Sequence, residues 1–484
     1  MSTITMTLAD MGMLSVEIMM AVLGLILLLF SILAPKEQQQ GAGYFTTAAL
    51  TAILLFTIFG GVREGSLLGG MYFTDEYAFF FKVLFLVTAI LTTFASHSFT
   101  QKLGYNQAEY YTLLIFSTLG MMILAGAGDL ITLYLGLELM SLSFVILVAF
   151  KLKDGYSAEA GMKYVILTAM SSAVLLYGLS LLFGVTGTTV ITDITLKLTQ
   201  GALSPVLLAS LVLVIAGFGF KIAAVPFHMW APDIYQGAPT PITAFLAAGS
   251  KAAAFAALLR ILMIALPVLN QIWIMIFVAL AVLTMIIGNL IAIPQRNVKR
   301  MMAYSSISQA GYIILGIIAA SVQGISAVLF YLFIYMIGIM TVFFVINAVE
   351  ETTGGTEFKN FSGLHHRAPL MAWAMMFALF SMAGIPPVVG FFGKFYLFVA
   401  VMEKGFLWLA LLAILMSMVS VYYYLQVVKV MFIADAQEDT PITNPLGTQI
   451  ALALSFLGIL VIGIYPTALF NWGLSAAHSF LGIL

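Results

Sequence analysis

Glu138, Lys221, Lys251 and Lys394 are ionisable side chains set in stretches of sequence that are otherwise almost wholly apolar: GDLITLYLGLELMSLSF, GFGFKIAAVPFHMW, ITAFLAAGSKAAAF and GIPPVVGFFGKFYLF. A carboxyl group and primary amines taken out of water suit one chemistry above others, the gain and loss of protons. Burial disfavours the charged form of each and so brings its two protonation states closer in energy. The chain has no cysteine, which excludes disulfides, thiolate-held iron–sulfur clusters and thiol chemistry, and its five histidines are scattered without a metal-ligand spacing. Redox groups, if any matter, belong to partners.

Depth sorts these residues from ordinary anchors. At the helical rise, Lys251 lies roughly 14 Å into a helix starting near Ile242, and Glu138 lies roughly 13 Å beyond a plausible N-cap at Asp129. Both are close to a midplane, where a charge costs several kcal/mol and snorkelling is hardest. Arg260, roughly 27 Å along the Lys251 helix, is expected to reach the far interface as an anchor. Lys82 in FFFKVLFLV reads the same way, and Glu17 stands near enough to its helix start to be wet. Lys163 in GMKYVILTAMSS is shallower and is either an anchor or a further member of the buried set. His228, two residues after Pro226, either relays protons or hydrogen-bonds a broken backbone. Glu138 and Lys221 are also open to a structural reading, as an ion pair of the kind that is often neutral for stability.

The elements that position these groups are membrane helices. The composition is 62% hydrophobic and 8% charged, far from that of soluble chains, and apolar runs of about 20 residues recur throughout. No alternating pattern of a β-barrel is visible, so the fold class is an all-α integral membrane protein of about fourteen transmembrane helices. The expected spans start near Leu14, Gly43, Glu76, Glu109, Leu130, Ala158, Val206, Ile242, Ile272, Lys299, Gln323, Pro369, Phe406 and Gly447. The first apolar run lacks a preceding basic region and a small-residue cleavage site, and reads as a retained helix. Counted from an outer start, Lys36, Lys102, Lys151, Lys153, Arg296, Lys299, Arg300, Lys359, Arg367 and Lys429 fall on one side, against Arg63, Lys197 and Lys404 on the other. The positive-inside rule then puts both termini outside. The net charge of −1 gives no hint of nucleic acid.

Two spans are interrupted. Pro226 follows Lys221, and Gly384, Pro386, Pro387 and Gly390 precede Lys394. Proline removes a backbone donor and clashes with the turn before it, and the carbonyls it frees must be met by protein or water. Two interrupted helices in corresponding places point to a transporter built from repeats, with its ion path at the breaks. The segment NVKRMMAYSSISQAGY, residues 297–312, adds Tyr304, Ser305, Ser306, Ser308, Gln309 and Tyr312 on one helix, groups able to hold a water chain or to glue helices together.

VPFHMWAPDIYQGAPTPITAFLAAGSK, NVKRMMAYSSISQAGY, GIPPVVGFFGKFYLF and the polar helix with Glu138 together resemble the antiporter-like membrane subunits of respiratory complex I, the bacterial proton-pumping NADH:quinone oxidoreductase. The forms APDIYQGAPTP and GFFGKF and the length of 484 residues fit the shorter subunit type better than the L or M subunits. The resemblance spans roughly residues 109–425 and implies two inverted five-helix repeats, each with a broken helix. The expected division is residues 1–108 for three leading helices, 109–263 and 264–431 for the repeats, and 432–484 for a last helix. It implies a proton-translocating role in a translocase of the bacterial inner membrane. Glu138 and Lys221 would be the modulating pair, Lys251 the central carrier, Lys394 the lysine of the second half-channel, and Lys163 a lysine near the first pair. It implies no cofactor in this subunit, with NADH, FMN, iron–sulfur clusters and quinone elsewhere in the complex, and as partners the M, K and J subunits and the lipid bilayer. Relatives often carry histidine where this chain has Gln309, so titration at that position is not expected. The competing readings are a subunit of a stand-alone multi-subunit cation/proton antiporter and a structural subunit with a disused channel.

Overall fold

The structure, a computed structural model, describes residues 8–61, 65–201, 203–436, 441–442 and 445–482. Arg63, used above for orientation, lies outside them. The helices that matter below run in chain order: α1 Ser15–Leu33, α2 Ala42–Gly60, α3 Glu76–Leu103, α4 Gln107–Gly126, α5 Leu130–Val148, α6 Gly155–Thr186, α7 Pro205–Lys221, α8 Trp230–Gly237 and α9 Thr240–Ala265. They continue with α10 Asn270–Ala292, α11 Val298–Ala319, α12 Val322–Thr353, α13 Pro369–Ala383, α14 Val389–Glu403, α15 Leu407–Phe432, α16 Leu446–Ile464 and α17 Pro466–Leu481. Among the described residues twelve helices are long and apolar enough to cross a membrane, and α7 and α13 are shorter apolar helices that end at the two breaks. Where one closing helix was expected, Pro466 divides the chain into α16 and α17.

Local chemistry explains the helix starts. Asp129 caps α5 by accepting from the amides of Ile131 and Thr132 at 2.8 and 3.0 Å, and Asp75 caps α3 through Ala78 at 2.7 Å. Asn297 caps α11, and Ser204 followed by Pro205 starts α7. Helices α9, α11 and α12 are buried almost all round, whereas α1, α15 and α16 turn most of their surface outward. Small residues let the central helices approach. A Cβ on Gly288 of α10 would stand 2.7 Å from the Ser308 amide nitrogen of α11, and one on Gly311 of α11 would stand 3.0 Å from the Met285 amide nitrogen of α10. The two helices therefore meet backbone to backbone.

The sequence reads α9 as a plain helix, but it is α-helical only in parts. Residues Leu246–Ser250 and Arg260–Ala265 are π-helical and enclose the α-helical Lys251–Leu259. Widened turns of this kind recur at functional sites.

Three expectations about charge fail. Arg260 is wholly buried. It does not snorkel because Asp75, held at the start of α3, meets it inside the protein with both carboxylate oxygens, at 2.9 and 3.0 Å. Glu17 and Lys82 are 6% and 4% exposed and form an ion pair of 2.8 Å, with the Tyr72 hydroxyl donating to the same Glu17 oxygen at 2.7 Å. The short antiparallel hairpin of Ser66–Leu67 and Tyr72–Phe73, in the connection before α3, brings Tyr72 to this pair.

Candidate functional site

Lys251 projects from the start of the α-helical part of α9 and is 1% exposed. Its ammonium donates to the Ser306 carbonyl at 2.6 Å and to the Ser306 hydroxyl at 2.5 Å. That hydroxyl also meets Tyr335 of α12 at 2.7 Å and Tyr235 of α8 at 3.3 Å. Its neighbour Ser305 is hydrogen-bonded to Tyr424 of α15. One turn on, Gln309 donates to Tyr424 at 3.2 Å and to the Met382 carbonyl at 3.0 Å, while accepting from Tyr331 at 2.5 Å.

Met382 and Ala383 end α13, where Gly384, in a left-handed conformation, stops the helix. Lys394, 3% exposed on α14, reaches back across this break. Its ammonium donates to the freed Ala383 carbonyl at 3.0 Å and to the Ser417 hydroxyl at 2.7 Å, and stands 4.3 Å from the centre of the Tyr312 ring. A cavity of about 340 Å³ opens against Lys394, Ser417 and the residues of the break. Helix α11 thus touches the surroundings of both lysines, with Ser305, Ser306, Gln309 and Tyr312 as the contacts.

The first break is built differently. The Phe220 carbonyl accepts from the Trp230 indole at 2.8 Å, and the Val225 amide donates to Thr284 at 2.9 Å. Lys221 is therefore not needed to satisfy the backbone. It is 3% exposed and donates to Ser141 of α5 at 2.8 Å. Glu138 lies one turn before Ser141 on the same helix, half-buried, with its Oε1 atom buried and without a hydrogen-bond partner. No ion pair within 4.0 Å joins Glu138 to Lys221 among the described residues. Ser141 stands where direct contact was expected.

Lys163 is not joined to this group. It pairs with Glu159 at 2.7 Å and with Asp233 at 2.6 Å, and Asp233 also holds Arg300 at 2.6 Å, a partly exposed network that ties α6, α8 and α11 together. His228 is half-buried in the turn between α7 and α8, with Nδ1 buried and without a partner. On the side that carries most loop lysines, Lys151, Lys299 and Glu350 line a polar cavity of about 490 Å³, and Lys299 donates to the Ala238 carbonyl at 2.8 Å. Ser141, Tyr235, Tyr331, Tyr335, Ser417 and Tyr424 escaped the sequence reading, because a tyrosine or lone serine in an apolar run carries no sign of which neighbour it meets.

Comparison with known proteins decides the family. The profile of the NADH:quinone oxidoreductase/Mrp antiporter transmembrane family matches residues 127–420. The NADH-quinone oxidoreductase subunit N of Moorella thermoacetica is 51% identical over 475 residues, covering 98% of this chain and 99% of that protein. The chain belongs to the subunit N family of NADH:quinone oxidoreductases.

A chain in the structure of respiratory complex I from Thermus thermophilus with bound aureothin superposes on this subunit N family member with a TM-score of 0.81 at 31% identity, over 94% of this chain and 98% of that one. The structure of the Mrp complex from Dietzia sp. matches at a TM-score of 0.83 and 22% identity, over 96% of this chain and 97% of that one, which shows the shared fold alone. With twelve helices long and apolar enough to cross a membrane among the described residues, the chain is a multi-pass membrane protein.

Proposed function

We propose that this chain is a proton-translocating subunit of a respiratory NADH:quinone oxidoreductase in a bacterial inner membrane. In this reading it carries no redox group. NADH, FMN, iron–sulfur clusters and quinone belong to other parts of the complex, and quinone reduction there drives protons along the buried lysines here. The observation that carries the proposal is that α11 presents polar groups to both lysines: Ser306 holds Lys251, while the neighbouring Ser305 and Gln309 share Tyr424 and Gln309 reaches the Met382 carbonyl, next to the Ala383 carbonyl held by Lys394.

In this scheme Lys251 is the central carrier and Lys394 the lysine of the second half-channel. The charge on Lys221 is set by Glu138 through space, with Ser141 as the direct partner of the lysine. Lys163 and the partly exposed Asp233–Arg300 network serve as a loop-side support, and His228 is a relay at the first break. Residues 109–263 and 264–431 are the two repeats, 1–108 the leading helices and 432–484 the closing segment. The partners are the M, K and J subunits and the surrounding lipid.

The test is the assembled complex carrying Lys251→Ala, in closed vesicles. It should lose proton pumping and coupled quinone reductase activity together while remaining assembled, and normal pumping would refute the carrier role. Co-purification in mild detergent with flavin and iron–sulfur polypeptides separates this reading from a stand-alone antiporter, which would bring down membrane subunits only.

A further inference from the structure

The outward half of α9 differs sharply from its lateral contacts. Residues 252–259 are all apolar and buried, so beyond Lys251 the helix offers no side chain able to pass a proton for roughly 13 Å. The next polar side chain of the helix is Arg260. Its Nη2 donates to both oxygens of Asp75 at 2.9 and 3.0 Å, and its Nε donates to the Ala125 carbonyl at 2.6 Å. The rings of Phe73, Tyr77 and Phe480 surround the guanidinium, with their centres 5.3, 5.0 and 5.7 Å from its carbon. The Tyr77 hydroxyl donates to the Ala256 carbonyl at 2.9 Å. The void beside Asp75 and Lys82 measures about 10 Å³, at the lower limit for one water.

We propose that Arg260 and Asp75 form a proton seal at the outer end of the Lys251 helix, which denies Lys251 a direct outward route and leaves the lateral one across α11. The proposal rests on the reading of Lys251 as carrier. A guanidinium does not give up its proton, so it cannot act as a station. Its fixed charge also opposes the arrival of a second positive charge. Asp75, by contrast, would be a buried carboxyl facing the carrier helix, able to take up and release protons if its cation were removed. Arg260 keeps that carboxylate out of proton traffic, and the three rings keep water away.

The two halves of the ion pair therefore have opposite predicted effects, which a packing role would not produce. The whole complex is placed in closed vesicles. Passive proton influx under an imposed potential is measured with turnover stopped, and turnover is measured with and without an uncoupler. Arg260→Gln, which leaves Asp75 without its cation, should raise the leak by about tenfold or more, the change given by ~1.4 kcal/mol off a barrier, and should abolish stimulation by uncoupler. Asp75→Asn, which keeps the cation, should stay as tight as the native complex. Adding Lys251→Ala to Arg260→Gln should remove the leak, and Arg260→Lys should leak less than Arg260→Gln. Equal leaks from Arg260→Gln and Asp75→Asn, no leak from an assembled Arg260→Gln complex, or a leak that survives Lys251→Ala would each overturn the seal. So would failure of both Arg260 variants to assemble, which would make the cluster a folding staple. Normal pumping by the Lys251→Ala single variant would refute the carrier reading, whereas a tight Arg260→Gln complex beside a non-pumping Lys251→Ala complex would refute the seal alone.

Discussion

Lys251 and Tyr335 meet on one hydroxyl: the lysine ammonium lies 2.5 Å and the tyrosine oxygen 2.7 Å from Ser306 Oγ. The ammonium must donate, so the serine hydroxyl is free to donate onward or to accept from Tyr335, and a single proton shift along this line changes the direction of both bonds. Ser306→Ala removes the shared oxygen but keeps the carbonyl contact. Pumping and coupled quinone reduction should fall together by about tenfold or more, from the loss of ~1.5 kcal/mol or more for a hydrogen bond to a charged group. Ser308→Ala, whose hydroxyl donates to the Ser305 carbonyl of its own helix and faces Tyr423 rather than Lys251, should lower pumping far less. Proton uptake per electron pair in vesicles checks both.

Gln309 is the link from the Lys251 side to the second break. Gln309→Leu leaves the Tyr331 hydroxyl and the Met382 carbonyl without this partner. Leaving a buried polar group unsatisfied costs about 1–3 kcal/mol. Pumping should drop in the assembled complex, and Gln309→His, which restores polar contacts, should recover most of it. Equal pumping by the leucine and histidine variants would exclude Gln309 from the path.

For Glu138 and Lys221, the expected coupling is lowered because the lysine donates to Ser141 and not to the carboxylate. Two charges 4 Å apart interact by roughly 4 kcal/mol at an effective dielectric of about 20. With no contact within 4.0 Å, the coupling should be smaller than that but still measurable. Glu138→Gln and Lys221→Ala should each reduce pumping, and the double variant should lose clearly less than their sum. Ser141→Ala should shrink the non-additivity. Strictly additive losses would mean that the two residues act independently.

Glu17 and Lys82 yield a stability prediction. Removing one member of a buried pair leaves an uncompensated charge, at a cost of about 3–5 kcal/mol, whereas replacing both with apolar residues of similar size is often neutral. Glu17→Leu or Lys82→Met alone should lower the amount of assembled complex. The double variant should assemble nearly as well as the native chain and turn over at the native rate. Thermal denaturation of the purified complex reads the difference.

Depth along a helix was legible in the sequence, and what surrounds a helix end was not. The same ruler that set Lys251 and Glu138 near the midplane sent Arg260 to an interface, because the residue that meets it, Asp75, comes from a segment far away in the chain. Glu17 and Lys82 were misread for the same reason, since Tyr72 and the hairpin close over them. The two breaks were legible because proline and glycine act locally. The π-helical turns around Lys251 were not, because alanine, leucine and glycine carry no signal that separates a widened turn from an ordinary one. Tyr235, Tyr331, Tyr335 and Tyr424 counted toward the apolar total, yet each presents a hydroxyl to the polar line.

The backbone contact between α10 and α11 has a mechanical consequence. Gly288 against Ser308 and Gly311 against Met285 hold α11 at two points one turn apart, and close-packed interiors do not deform smoothly. Helix α11 therefore cannot roll about its own axis without prising the pair apart. It is the stator of this device, with Ser306 and Gln309 as fixed terminals. In the proposed scheme, changes of reach toward those terminals are left to the side chains of Lys251 and Lys394.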